Sequence, residues 1–142
     1  MPGVVVGTDG SEGALRALSW AVDEARLRRT RLTVLAVVAV PVTLGRASAP
    51  IVGEPEPADL EAAEAAANAD LAAAGADDVD TEIRVVAGVP AEELVNAGTD
   101  ADLLVVGSRG VGGFSRLLLG SVSSQVVHHA TCPVVVIPHQ RG

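Results

Sequence analysis

LVVGSRGVGGFSRLLLGSVSSQ, Leu104 to Gln125, begins as a β-rich apolar run and ends in helical pattern, with five glycines between Gly107 and Gly120. Two residues separate Gly107 from Gly110, nine separate Gly110 from Gly120, and Ser121 follows at once. Gly107 and Gly110 fall at the carboxyl end of a predicted strand, Gly120 and Ser121 at the start of a predicted helix. In open α/β sheets ligands bind outside the carboxyl ends of the strands. A helix N-terminus presents unpaired N–H groups and a partial positive charge, and a glycine ahead of it admits an anion without a Cβ in the way. In outline this is a phosphate cradle.

Short β-rich apolar runs alternate with longer helical segments along the rest of the chain, the pattern of βαβ units feeding a parallel sheet. Strand one is Gly3 to Thr8, whose continuous valines suit a strand covered on both faces. Ser11 offers an N-cap to helix one, with Glu12 in the first turn, and Leu15, Leu18, Val22 and Ala25 recur on one face as far as about Arg29. Strand two is Leu32 to Val40. The Pro-rich and Gly-rich segment from Pro41 to Pro57 reads as a mobile surface loop. From about Asp59 the run DLEAAEAAANADLAAA has high helix propensity with a thin apolar face, and Gly75 can end it. Strand three, Thr81 to Val86, leads to a short helix opened by Pro90 and ending near Gly98. Strand four is Asp102 to Val106, helix four Ser121 to about Ala130, and strand five Val134 to Ile137.

Length and composition bound the function. A chain of 142 residues, 49% hydrophobic, is about one domain with ample core. Ten basic against eighteen acidic side chains leave a net charge of −8 with no basic stripe, which argues against nucleic acid. The one cysteine, Cys132, excludes an internal disulfide, and neither a leader nor an apolar run of about 18 residues is present. The expected location is the cytoplasm.

All ten basic residues are arginine, so a Walker-type loop, which needs a lysine on the terminal phosphates, is excluded. The dinucleotide pattern G-x-G-x-x-G fails as well: Gly110 and Gly112 begin it, but position 115 is Ser115. Asp9, in the turn Gly7 to Ser11, either accepts hydrogen bonds from sugar hydroxyls or caps helix one. Arg109 and Arg116 either meet phosphate or stay solvated. His128 and Cys132 have the spacing of two ligands on a helix, yet a metal needs more, and Pro133 takes Cys132 out of the helix, so no metal site is expected. Cys132 reads as a small apolar filler. No G-x-S-x-G elbow occurs, and no histidine has acidic partners in a hydrolase pattern, so no catalytic residue is assigned.

The motif that does fit is G-x2-G-x9-G-S, and with it the chain resembles the ATP-binding branch of the universal stress protein family. The likeness runs through VVVGTDGS, TVLAVV, ADLLVVGSRG, GGFSRLLLGSVSSQVV and CPVVVIP, essentially the whole chain. It implies an α/β fold: a single-domain, open, parallel five-stranded sheet of order 3-2-1-4-5, with helices on both faces. It also implies an ATP-binding stress-response regulator or sensor acting through nucleotide-dependent protein interactions. Alternatives are a slow ATPase using the same site and an interaction module without nucleotide. The resemblance assigns Asp9 to the nucleoside end of ATP and the main chain near Val37 to the adenine edge. It gives Gly107 and Gly110 to ribose and phosphates, and Gly120, Ser121, Val122 and Ser123 to the phosphates, which would hold Mg2+; Arg109, beside Gly110 in the loop, is grouped with these binding residues. In that strand order strand five, Pro133 to Pro138, is an uncharged edge that invites pairing with a second copy, so a homodimer is expected.

Overall fold

A computed structural model describes residues 3–9, 11–40, 42–108 and 120–138. The main elements are β1 (Val4–Thr8), α1 (Glu12–Arg28), β2 (Leu32–Ala39), β3 (Val42–Leu44), β4 (Pro50–Val52), α2 (Pro57–Ala73), β5 (Thr81–Gly88), α3 (Pro90–Gly98), β6 (Leu103–Gly107), α4 (Ser121–His129) and β7 (Val134–Ile137). A 3-10 turn, Arg46–Ser48, joins β3 to β4. Five strands form one parallel sheet of order β5-β2-β1-β6-β7. This is the expected 3-2-1-4-5 order once the small hairpin is left out of the count.

The unbroken apolar runs are explained by burial on both faces of the sheet. Val4, Val6, Leu32, Val34, Leu103 and Val105 pack under α1 and α2 with Leu18, Val22 and Ala67. Their neighbours in sequence, Val5, Leu35, Leu104 and Val106, point the other way and meet Ala91, Leu94 and Val126 of α3 and α4. Successive strand residues face opposite sides, so a strand covered on both needs apolar residues at every position.

Helix α1 begins where its cap predicts: the Ser11 hydroxyl accepts from the Ala14 N–H at 3.2 Å. Of the expected stripe, Leu18, Val22 and Ala25 are buried and Leu15 is not. Leu15 is 38% exposed, and the face turned inward is Gly13, Ala14, Ala17, Leu18, Ala21, Val22 and Ala25. Small residues let the helix axis lie close to the sheet, and a Leu15 on that side would hold it off. Arg26 then ties α1 to the turn after α2, with Nε on Asp78 at 2.7 Å and a second nitrogen on the Gly75 carbonyl at 3.0 Å.

Other boundaries shift for local reasons. Helix α2 starts at Pro57, two residues ahead of expectation, because proline at N1 gives up an N–H that would have had no partner. Gly75, with φ +69°, ends it as expected. Strand β5 runs to Gly88, since β2 pairs with it along its whole length. The expected loop from Pro41 to Pro57 contains an antiparallel hairpin, with Thr43 opposite Ile51 and Leu44 opposite Pro50.

Candidate functional site

The carboxyl ends of β1 and β6 lie side by side, the chain leaving β1 for α1 on one face and β6 for α4 on the other. This reversal is the switch point at which a doubly wound sheet opens a crevice. Thr8 pairs with Ala36, so the next residues on each strand, Asp9 and Val37, share a level at this edge. Val37 also pairs with Val86 and is partly buried against the α3 side of the core. Asp9 does not cap α1; that role is filled by Ser11. An Asp9 carboxylate oxygen instead accepts the Ser11 N–H at 2.9 Å, closing a turn that fixes its direction at the mouth of the crevice.

On the other side, α4 begins at Gly120, which has extended backbone, φ −76° and ψ 176°, and provides no side-chain cap. Ser124 N–H reaches the Gly120 carbonyl at 2.9 Å, so the amides of Ser121, Val122 and Ser123 precede the first hydrogen bond within the helix. The start of α4 is stapled to β6. Gly120 N–H donates to the Ser108 carbonyl, and the Ser123 hydroxyl donates to the same oxygen at 2.7 Å. Ser108 in turn is held to β7, its N–H on the Ile137 carbonyl at 2.8 Å. Ser123 is 3% exposed, and its buried hydroxyl orients the start of the helix.

Gly107 has a different steric reason from the one its position in the motif suggests. A Cβ there would stand 3.1 Å from the Gly13 carbonyl oxygen and 3.2 Å from its carbon. The missing side chain lets the first turn of α1 close onto the end of β6. Gly110, Arg109 and Arg116 lie outside the described residues. Among the described residues no three His, Cys, Asp or Glu side chains gather as metal ligands. Cys132 sits beyond α4 in the apolar layer beneath α3, where its thiol would be 3.2 Å from a Cβ on Gly98, and burial pushes its pKa up. The hollow of about 350 Å³ between α3 and α4, lined by Glu92, Asn96, Gln125 and His129 among others, holds none of the residues singled out above.

Fold and crevice together define a doubly wound α/β protein with a helix start facing its switch point. The model of the universal stress protein family matches residues 2–138, and the chain belongs to that family. A universal stress protein of Mycobacterium tuberculosis strain H37Rv is 38% identical over 143 residues, covering 95% of this chain and 47% of the relative. The chain thus spans about half the length of the curated relatives it matches. Among solved structures, a universal stress protein in complex with cAMP superposes with a TM-score of 0.69 at 33% identity, over 96% of this chain and 95% of that one. The universal stress protein UspA from Lactobacillus plantarum gives 0.67 at 26%, over 96% and 97%. Among the described residues no helix is long and apolar enough to cross a membrane.

Proposed function

We propose that this chain binds ATP in the crevice between β1 and β6, and that occupancy changes the surface it offers to protein partners in a stress response. The observation that carries the reading is the start of α4: a helix with no side-chain cap, opened by glycine, fastened by Ser108 and Ser123 to the strand end where a ligand would lie. Phosphate oxygens would accept from the amides of Ser121, Val122 and Ser123, replacing the cap that the sequence omits. Asp9 would accept from the ribose hydroxyls, and the main chain at Val37 would meet the adenine edge. Mg2+ would be held by phosphate oxygens and water. Gly110 and Arg109 belong to the same motif and are assigned to the phosphates with Gly107.

Freshly purified protein tests this directly. With one tryptophan, one phenylalanine and no tyrosine the polypeptide absorbs weakly, so a retained adenine would move the maximum to about 260 nm. A ligand held at about 100 times its dissociation constant also adds roughly 2.7 kcal/mol of stability. Acid release of ATP or ADP supports the reading; protein free of nucleotide, with no melting shift in Mg-ATP, removes it.

A second reading follows from the similar structure solved with cAMP: a monophosphate is the ligand and no terminal phosphate is needed. Competition of ATP and cAMP for the same fluorescent adenine nucleotide separates the two. A homodimer through β7 is part of the proposal, since that strand ends the sheet and carries no charge on its outer edge.

A further inference from the structure

With no lysine and a net charge of −8, arginine is the permanently cationic side chain this chain can offer a bound polyphosphate, beside the helix amides and any Mg2+. Most described arginines are already engaged. Arg26, Arg28 and Arg31 are paired with carboxylates, and Arg16 donates to the Pro138 carbonyl at 2.6 Å. Among the described residues Arg29, Arg46 and Arg84 have no ion pair. Arg29 caps the far end of α1, at the amino edge of the sheet, and Arg84 sits mid-strand beside Leu35. Arg46 alone of the three stands at the carboxyl edge, in the turn of the hairpin that rises from the end of β2.

The hairpin stands apart from the body of the sheet. Its strands pair with each other, and among the described residues no other helix or strand packs extensively along them. It displays two large apolar side chains to water, Leu44 at 75% and Ile51 at 54% exposure. Its turn places Ala47 and Ser48 in the left-handed region, φ 60° and 58°, which side chains other than glycine seldom adopt. The root is fixed, because Val40 N–H bonds to the Gly88 carbonyl at the carboxyl edge.

We propose that the hairpin Val42–Val52 is a binding element of the nucleotide site, resting on the reading above. It folds onto the bound ligand, with Leu44 and Ile51 covering the base and Arg46 reaching the phosphates. The closed state would bury the two apolar side chains and give Arg46 an anionic partner, while the strained turn favours reopening when the site empties.

Calorimetric titrations with ATP and adenosine test it on wild type, Arg46→Ala, Arg46→Lys and the double variant Leu44→Ser, Ile51→Ser. Arg46→Ala should weaken ATP at least tenfold and adenosine less than twofold, with partial recovery in Arg46→Lys. The double variant should weaken both ligands about threefold or more. In the wild type, hydrogen exchange of the amides from Thr43 to Ile51 should slow on adding ATP. Substitutions at these three exposed positions should leave the melting temperature of the free protein unchanged, which separates binding from folding. ATP bound as tightly by Arg46→Ala as by wild type, or hairpin amides indifferent to ATP, overturns the hairpin proposal and leaves the nucleotide reading standing. A wild type that binds neither ligand overturns both.

Discussion

Gly107 and Gly120 belong to one motif but answer to different physics. At Gly107 the neighbour is backbone, which yields little, so Gly107→Ala should destabilise the fold by about 1–3 kcal/mol in urea unfolding, as overpacking does. At Gly120 the backbone angles suit any residue, and Gly120→Ala should cost at most about 1 kcal/mol of helix capping. Its effect should fall on the ligand, a loss of at least tenfold in ATP affinity, or about 1.4 kcal/mol. A Gly120→Ala protein with wild-type affinity would mean that the cradle is misassigned. Ser123→Ala removes a buried hydroxyl that fastens α4 to β6 and should cost about 1 kcal/mol, measured the same way. Asp9→Ala should weaken adenosine as well as ATP, because its proposed partner is sugar.

The α1 helix shows how an element depends on its two ends. Its start is set by Ser11 and by the closeness that Gly107 permits; its end is braced by Arg26 against Asp78. The hydrogen bond from Arg26 holds the Asp78 carboxyl below the usual carboxylate range, against the opposing effect of desolvation. A carboxyl lowered in the folded state contributes stability that is present above its unfolded value, about 3.9, and lost as pH falls through the folded value. Wild type should therefore melt at a higher temperature than Asp78→Asn at pH 6, by a small margin since the pair is exposed, and the two curves should converge as pH falls through the folded value. Helix α2 makes the contrasting case: alanine forms the helix, yet only Ala67 is buried, so its propensity contributes more than its packing.

For the molecule as a whole, the sheet has two edges, and they are treated differently. The β5 edge carries Glu82 and Arg84 among its apolar residues, whereas β7 is VVVI between two prolines. Pairing of β7 with β7 in antiparallel sense would satisfy both edges about a two-fold axis. Sedimentation at micromolar concentration should give a dimer, and a monomer there would dismiss this arrangement.

The valine-rich runs, the Ser11 cap, Pro90 and the G-x2-G-x9-G-S spacing were enough, read alone, to establish an alternating α/β chain and to place the motif between a strand end and a helix start. These are local signals, because burial on both faces, capping and close backbone approach each leave a mark within a few residues. The inward face of α1 was legible through Leu18, Val22 and Ala25, but its first turn was not: the close approach of the helix to the sheet there selects Gly13, Ala14 and Ala17 and leaves Leu15 outside. The pairing in the Pro41 to Pro57 segment was hidden by its prolines and glycines, which mark turns whether or not strands lie between them. The engagement of Ser123 with Ser108, 15 residues earlier, and the clash that keeps residue 107 a glycine are contacts between separate elements. Tertiary structure alone decided them, since their energies depend on distances that no stretch of sequence contains.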